Sequence, residues 1–312
     1  MASMVLIQLL LVLMFAWPAS RSGPHGLPVA VSGPASVTRS ISTQLAGGRS
    51  GALDVTVVSS AGAARRSVLD RSNYGAVVFG PDSVTVYVAS AAGPAVAAQL
   101  STQLVAALKS ASPAISTVVV DLAPSPRRDP SGAGLTLSLI PFCVTSVLLG
   151  SVVGLFVRRR RYRYAALAAF SLAAGVLSTL GVQTALGVMF GSWSANASVL
   201  ALAALALSAP AAGLASTLRA PGAAVALLVL FFGGFAFSGA TSAWQFVPAP
   251  WGRIDQAFPV GALSTTQRSV AFFNGAHSSG GLLVLSTWSI AGLVLAWYGR
   301  GKALENDRTH VR

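Results

Sequence analysis

Between Arg163 and Arg219 the chain carries no ionisable side chain other than Tyr164. A stretch that long without charge cannot coat a water-exposed globule, since soluble domains carry charge at about 25% of positions. Over all 312 residues only 9% are charged while 54% are hydrophobic. This balance excludes a soluble globule, and the apolar content excludes a disordered chain. What remains is a multi-pass membrane protein whose helices are solvated by lipid.

Five apolar spans meet the length condition. Leu135–Val157 has 23 residues without a charge, about 34 Å as a helix against a hydrocarbon core of about 30 Å. Ala165–Phe190, Val199–Leu218, Gly222–Trp244 and Ser279–Tyr298 are the others. A further run, Met4–Trp17, reaches only about 21 Å. It reads either as a thin first transmembrane helix or as the hydrophobic region of a signal peptide. The connectors set the orientation. Arg158, Arg159, Arg160, Arg161 and Arg163 fall between two spans, and cations resist translocation, which marks a cytoplasmic loop. The Arg219 turn and residues 300–312, with four cations, belong on the same side. The uncharged Gly191–Ser198 and the 245–278 connector then face outward. Counting the N-terminal run, the topology is six spans with both termini in the cytoplasm.

Residues 23–134 differ in kind and hold five of the eight acids. Leu27–Val31, Asp54–Val58, Tyr74–Phe79, Val84–Ala89 and Thr117–Leu122 are rich in valine and bounded by Gly, Pro and Ser, the pattern of strands. Ala35–Leu45, Ala61–Arg71 and Pro94–Ser110 have helical character, with Val96, Leu100, Leu104, Ala107 and Leu108 at helical spacing in the last. Strands alternating with helices predict a small α/β domain, placed outside the membrane between spans 1 and 2. The domain plan is therefore an N-terminal anchor or signal-like segment at 1–22, an extracytoplasmic α/β domain at 23–134, five transmembrane helices within 135–299 and a cytoplasmic tail at 300–312. Within the 245–278 connector, Ala262–Phe273 predicts a short helix at the outer interface, with Leu263, Val270 and Phe273 on one side and Gln267 and Arg268 on another.

Motifs of chemistry are sparse. No HExxH, GxSxG or CxxC occurs, and no glycine-rich loop runs into Gly-Lys-Ser/Thr. The sequence therefore assigns no enzyme activity, no cofactor, no metal site and no ATP-binding loop to this chain. The cations lie at span boundaries rather than on one continuous face, which excludes nucleic acid as the partner. Proton- and sodium-driven carriers place acids or bases within their helices; the five spans contain no Asp, Glu, Lys or Arg. Gly150 and Gly154 form a GxxxG pair that allows close helix packing. The Arg158–Tyr164 run also suits contact with anionic membrane lipid.

Several short segments carry a family resemblance. Leu27–Pro34 (LPVAVSGP), Tyr74-Gly75-Ala76-Val77 and Ala89-Ser90-Ala91-Ala92-Gly93 are three of them. Val120-Asp121 through Pro126 to Asp129-Pro130 and Gly132 is a fourth. The last is Phe258-Pro259-Val260-Gly261-Ala262 with Arg268 and Phe272-Phe273-Asn274-Gly275. In this order they resemble the YhgE/Pip-type (DUF3533-like) membrane proteins and ABC-2-type permeases. The resemblance implies a plasma-membrane, permease-like subunit, a homodimer, working with a separate ATPase subunit. It marks Pro259, Gly261, Arg268 and Phe273 as an outer segment shared with that family. An interior without charge suits export of a hydrophobic or lipid-like solute better than an ion. The alternative is a non-transporting membrane anchor whose external domain binds an envelope or extracellular partner.

Overall fold

The computed structural model describes residues 23–36, 52–111, 115–233, 244–247 and 250–299, with scattered positions among 5–21 and 38–43. Five valine-rich strands, β1 (Leu27–Ser32), β2 (Leu53–Val57), β3 (Gly75–Phe79), β4 (Ser83–Val88) and β5 (Ser116–Asp121), make one mixed sheet in the order β2-β1-β3-β4-β5. β1 is parallel to β2 and β3, β4 is antiparallel to β3, and β5 is parallel to β4. Helix α1 (Ala61–Leu69) connects β2 to β3 and α2 (Pro94–Ala111) carries the crossover from β4 to β5.

Alternation along the strands assigns the two faces. Leu27, Val29, Val31, Val77, Val84, Val86 and Val88 meet Val96, Leu100, Leu104 and Leu108 of α2. Ala30, Ala76 and Tyr87 turn to the opposite face, against Ala64 and Val68 of α1. These are the strands and helices that the valine runs and the helical spacing predict; of the expected Ala35–Leu45 helix, most lies outside the described residues. Each face is completed from far along the chain. Phe246 joins the α2 side and Phe273 the α1 side. Backbone bonds from Gly23 N to Phe246 O (3.0 Å) and from His25 N to Gln245 O (2.9 Å) tie Trp244–Phe246 beside the approach to β1. The 245–278 connector is thus built into the α/β domain rather than hung between two spans.

The remainder is helical. Among the described residues four helices are long and apolar enough to cross a membrane: α3 (Ala133–Phe156), α4 (Arg160–Thr179, continuing through a π-helical turn to Ala185), α5 (Trp193–Leu218) and the last helix, Ser279–Tyr298. The expected Gly222–Trp244 span begins as α6 (Ala220–Ala226) and a π-helical stretch, Leu227–Gly233; residues 234–243 lie outside the described residues. Met4–Trp17 is described only at scattered positions, all helical. Two short helices follow, α7 (Trp251–Asp255) and α8 (Pro259–Phe272), so the last helix is α9.

α5 is the hub against which α3, α4 and α9 pack. Small residues allow this. A Cβ at Gly150 would strike the backbone of Ser208, and one at Gly154 the backbone of Ala212 and the Cβ of Ala215. The GxxxG pair is therefore a backbone-to-backbone contact. Gly175 of α4 and Gly292 of α9 close on α5 in the same way, against Ala197 and Pro210.

Two local expectations change. The basic run is not an open loop, because α4 starts at Arg160 and leaves only Val157–Arg159 between α3 and α4. And α8 does not lie at an interface with one wet side: it is buried over nearly its whole length, Gln267 and Arg268 included. It is wedged between α5, α9 and the Ser90–Ala92 turn of the α/β domain. Its Ser, Thr and Gln residues look solvated in sequence because their buried partners come from distant segments.

Candidate functional site

Pro259 opens α8 at its first turn, where a missing N–H costs nothing. Gly261 follows where any Cβ would run into the Asp255 carboxylate. With its start fixed, α8 presents two polar sides to different halves of the molecule.

One side is cationic. Arg268 is only 6% exposed, and its Nη2 donates to Thr136 Oγ1 (2.9 Å) on the first turn of α3. The start of α3 is built for this contact. Asp129 is buried and accepts from Gly134 N (3.0 Å) and Leu135 N (3.1 Å), capping the helix. Gly132, at φ +67°, makes the left-handed turn that lets the cap fold back. Arg71 reaches the same junction from the α/β domain. Its backbone sits at φ +58°, a left-handed conformation that non-glycine residues seldom adopt, at the end of α1. The guanidinium Nη1 donates to Thr265 O (2.8 Å) and to the Ser269 hydroxyl, and it lies 5.4 Å from the centre of the Phe273 ring.

Burial pushes the Arg71 guanidinium below its ordinary value, with Tyr74 drawing it back. Burial pushes the Tyr74 phenol up, against the pull of Arg71, Gln245 and Arg268. Arg268 is pushed down to about 10, by burial first and then by the like charge of Arg71, while Asp129 and Tyr74 oppose. At about 10, Arg268 keeps its proton at neutral pH. The junction is a fixed electrostatic clamp between the sheet, α3 and α8.

The other side of α8 is neutral. Gln267 is fully buried; its Nε2 donates to Asn196 Oδ1 (2.8 Å) and contacts Met189 Sδ at 3.0 Å. Asn196 Nδ2 donates to Gln183 Oε1 (2.9 Å) and Phe190 O (2.6 Å), and Gln183 Nε2 donates to Gly191 O (3.0 Å). Beneath Gln267 lies a cavity of about 150 Å³ between the outer turns of α3, the π-helical turn after α4, and α5. Leu135, Leu139, Phe142, Val182, Met189 and Leu200 make its walls.

At the opposite end of the bundle the arginine run divides. Arg158, Arg159 and Arg161 are exposed. Arg163 is fully buried and donates to Ala296 O (2.6 Å) and twice to Val157 O (3.1 and 3.3 Å). It neutralises the carbonyl ends of α3 and α9, where the helix dipole is negative. Arg160 lies 4.7 Å from the Trp297 ring centre, and the Tyr164 hydroxyl donates to Leu293 O (2.9 Å).

Of the residues singled out by sequence, Arg268 and Phe273 lie at the junction and Pro259 and Gly261 at the start of α8, whereas Gly150, Gly154 and the arginine run belong to helix packing and the far end. Arg71, Gln183 and Asn196 were not anticipated as site residues, while Gln267 was read only as a polar helix position and Tyr74 only as part of a family-like segment. Amides within a charge-free stretch were the available signal. A further cleft of about 480 Å³ is lined by His25, Asp54, Trp244, Gln245 and Arg253 among others. No group of three His, Cys, Asp or Glu that could hold a metal occurs among the described residues. Comparison with protein-family models, with curated proteins and with solved structures finds no match for this chain.

Proposed function

We propose that this chain is a permease-like membrane subunit of an ABC-2-type export system that handles a neutral, hydrophobic or lipid-like substrate. The observation that carries the reading is the chemistry of the interior. Among the described residues, the polar groups enclosed between the spans are amides and hydroxyls such as Asn196, Ser208 and Gln267, while the buried cations stand at the two ends, Arg163 at one and Arg268 at the other. Such an interior accepts a neutral molecule and gives a small ion nothing to replace its hydration shell. Without an acid or base in the packed spans to relay protons or sodium, the energy comes from a separate ATPase. Since α5 fills the centre of the bundle, the substrate path runs along the α3–α4 surface or between two copies in a homodimer. In this reading six spans cross the plasma membrane, Met4–Trp17 and Gly222–Trp244 included. The α/β domain is outside, and Arg158–Arg163, Arg219 and both termini are in the cytoplasm.

The test is purification of the tagged full-length chain from its native membrane, followed by reconstitution. A stoichiometric ATPase in the preparation, with ATP-dependent movement of a fluorescent lipid across vesicles, is the expected result; a chain that purifies alone and leaves the lipid distribution unchanged overturns the proposal. A second reading, the membrane anchor with a binding domain outside, draws on the His25–Asp54–Trp244–Arg253 cleft, whose ring, acid and base suit a polar envelope ligand. Retention of cell-envelope material without an ATPase would favour it.

A further inference from the structure

The hydrogen-bond direction along Gln183, Asn196 and Gln267 is not free to reverse. Phe190 O and Gly191 O can only accept, so Asn196 and Gln183 must turn their NH2 groups toward them. That leaves Asn196 Oδ1 facing Gln267, and Gln267 must answer with its own NH2. Its Oε1 is left as a buried acceptor with no partner among the described residues, on a side chain that lines the 150 Å³ cavity. An unpaired buried carbonyl of this kind costs about 1–3 kcal/mol, and the chain of three amides on three separate segments fixes which atom of Gln267 is left over.

We infer that this cavity is a binding site for a long-chain molecule with a neutral hydroxyl head, whose O–H donates to Gln267 Oε1 and whose chain lies along Leu139 and Phe142. This rests on the proposed handling of a hydrophobic substrate and names its class. An acceptor oxygen at the head position rejects an ionised carboxylate or phosphate, and Arg268, next in sequence, is directed away to Thr136. The pocket is partly open and its lining is mainly apolar, with Ser138, Ser178 and Gln267 as its polar members, so a chain longer than the enclosed space can extend out of it. The π-helical turn after α4 shapes one wall and also delivers Gln183 to the amide chain; such turns recur at functional positions. The head sits at the α8 end of α3, the outer boundary in the proposed topology, so the molecule has the orientation of an outer-leaflet lipid.

The experiment uses the full-length protein in lipid nanodiscs with a diazirine-bearing long-chain alcohol and its methyl ether, in which a methyl group replaces the hydroxyl proton. The alcohol is expected to label the 135–142 segment at least about tenfold more than the ether, one good hydrogen bond's worth. Gln267→Leu removes that preference while retaining apolar labelling. Gly181→Leu, placed where a Cβ meets nothing within 4 Å and a longer side chain enters the cavity, abolishes labelling by both. Equal labelling of the wild type by alcohol and ether, or labelling confined to other segments, overturns the site; neither result depends on a variant folding. Preferential labelling without an ATPase partner leaves the site standing and removes the transport reading, whereas ATP-driven lipid movement without labelling at 135–142 does the reverse.

Discussion

A buried guanidinium is the residue-scale theme, and the two ends of the bundle use it differently. Arg163 donates to carbonyls at helix ends, so its burial is compensated by hydrogen bonds along two dipoles. Arg268 shares its pocket with Arg71, whose like charge adds to burial in lowering its proton affinity. Truncating Arg268 to Ala is expected to destabilise the protein by about 2–3 kcal/mol, from the void and the loss of the Thr136 bond. Arg268→Met keeps the alkyl stem and removes the buried charge, so it should cost under about 1 kcal/mol; thermal melting in detergent compares them. The folded-state value near 10 lies below the unfolded one, so stability linked to this group rises only as pH climbs above about 10. The gap between wild type and either variant therefore stays constant from about pH 6 to about pH 9. A profile that bends in that interval would show a different group in control. From sequence the charges at 163 and 268 were visible, but not their burial, because Ala296 O and Thr136 Oγ1, which receive them, lie more than a hundred positions away.

At the scale of elements, legibility followed periodicity. The strands declared themselves through valine at every second position, and α2 through Val96, Leu100 and Leu104, because each needs only its own pattern to be seen. α8 was legible as a helix over Ala262–Phe273 but not in its burial, since a helix buried by polar and small residues has the composition of an exposed one. The contact of α3 with α5 was half legible: the GxxxG spacing of Gly150 and Gly154 was plain, while its partner Ser208–Ala212 was just one of many small-residue stretches. Gly154→Asp is expected to abolish folded, extractable protein, because the new side chain meets the Ala212 backbone with an unpaired charge. Gly154→Ala, costing about 1–3 kcal/mol by overpacking, should lower the melting temperature while leaving the protein assembled. Size-exclusion chromatography with a melting curve reads both.

For the molecule as a whole, orientation is the quantity on which the functional reading turns. Cys143 is buried, which leaves a quiet background for single introduced cysteines. Gln99→Cys, on the exposed face of α2, is expected to react with a membrane-impermeant maleimide in intact cells, and Arg161→Cys only after permeabilisation. The opposite pattern would turn the protein over. Membership of the α/β class and of the membrane class was decided by patterning and charge, but the joining of the two was invisible, since it depends on aromatic plugs inserted across long chain separations. Phe246 and Phe273 enter the sheet's two faces after four or more of the apolar helices have been synthesised. The ribosome thus delivers the strands first and their last packing partners at the end, so maturation of the sheet waits on completed translation of the bundle, and a chain stalled before Phe246 leaves apolar valines open to chaperones or proteases.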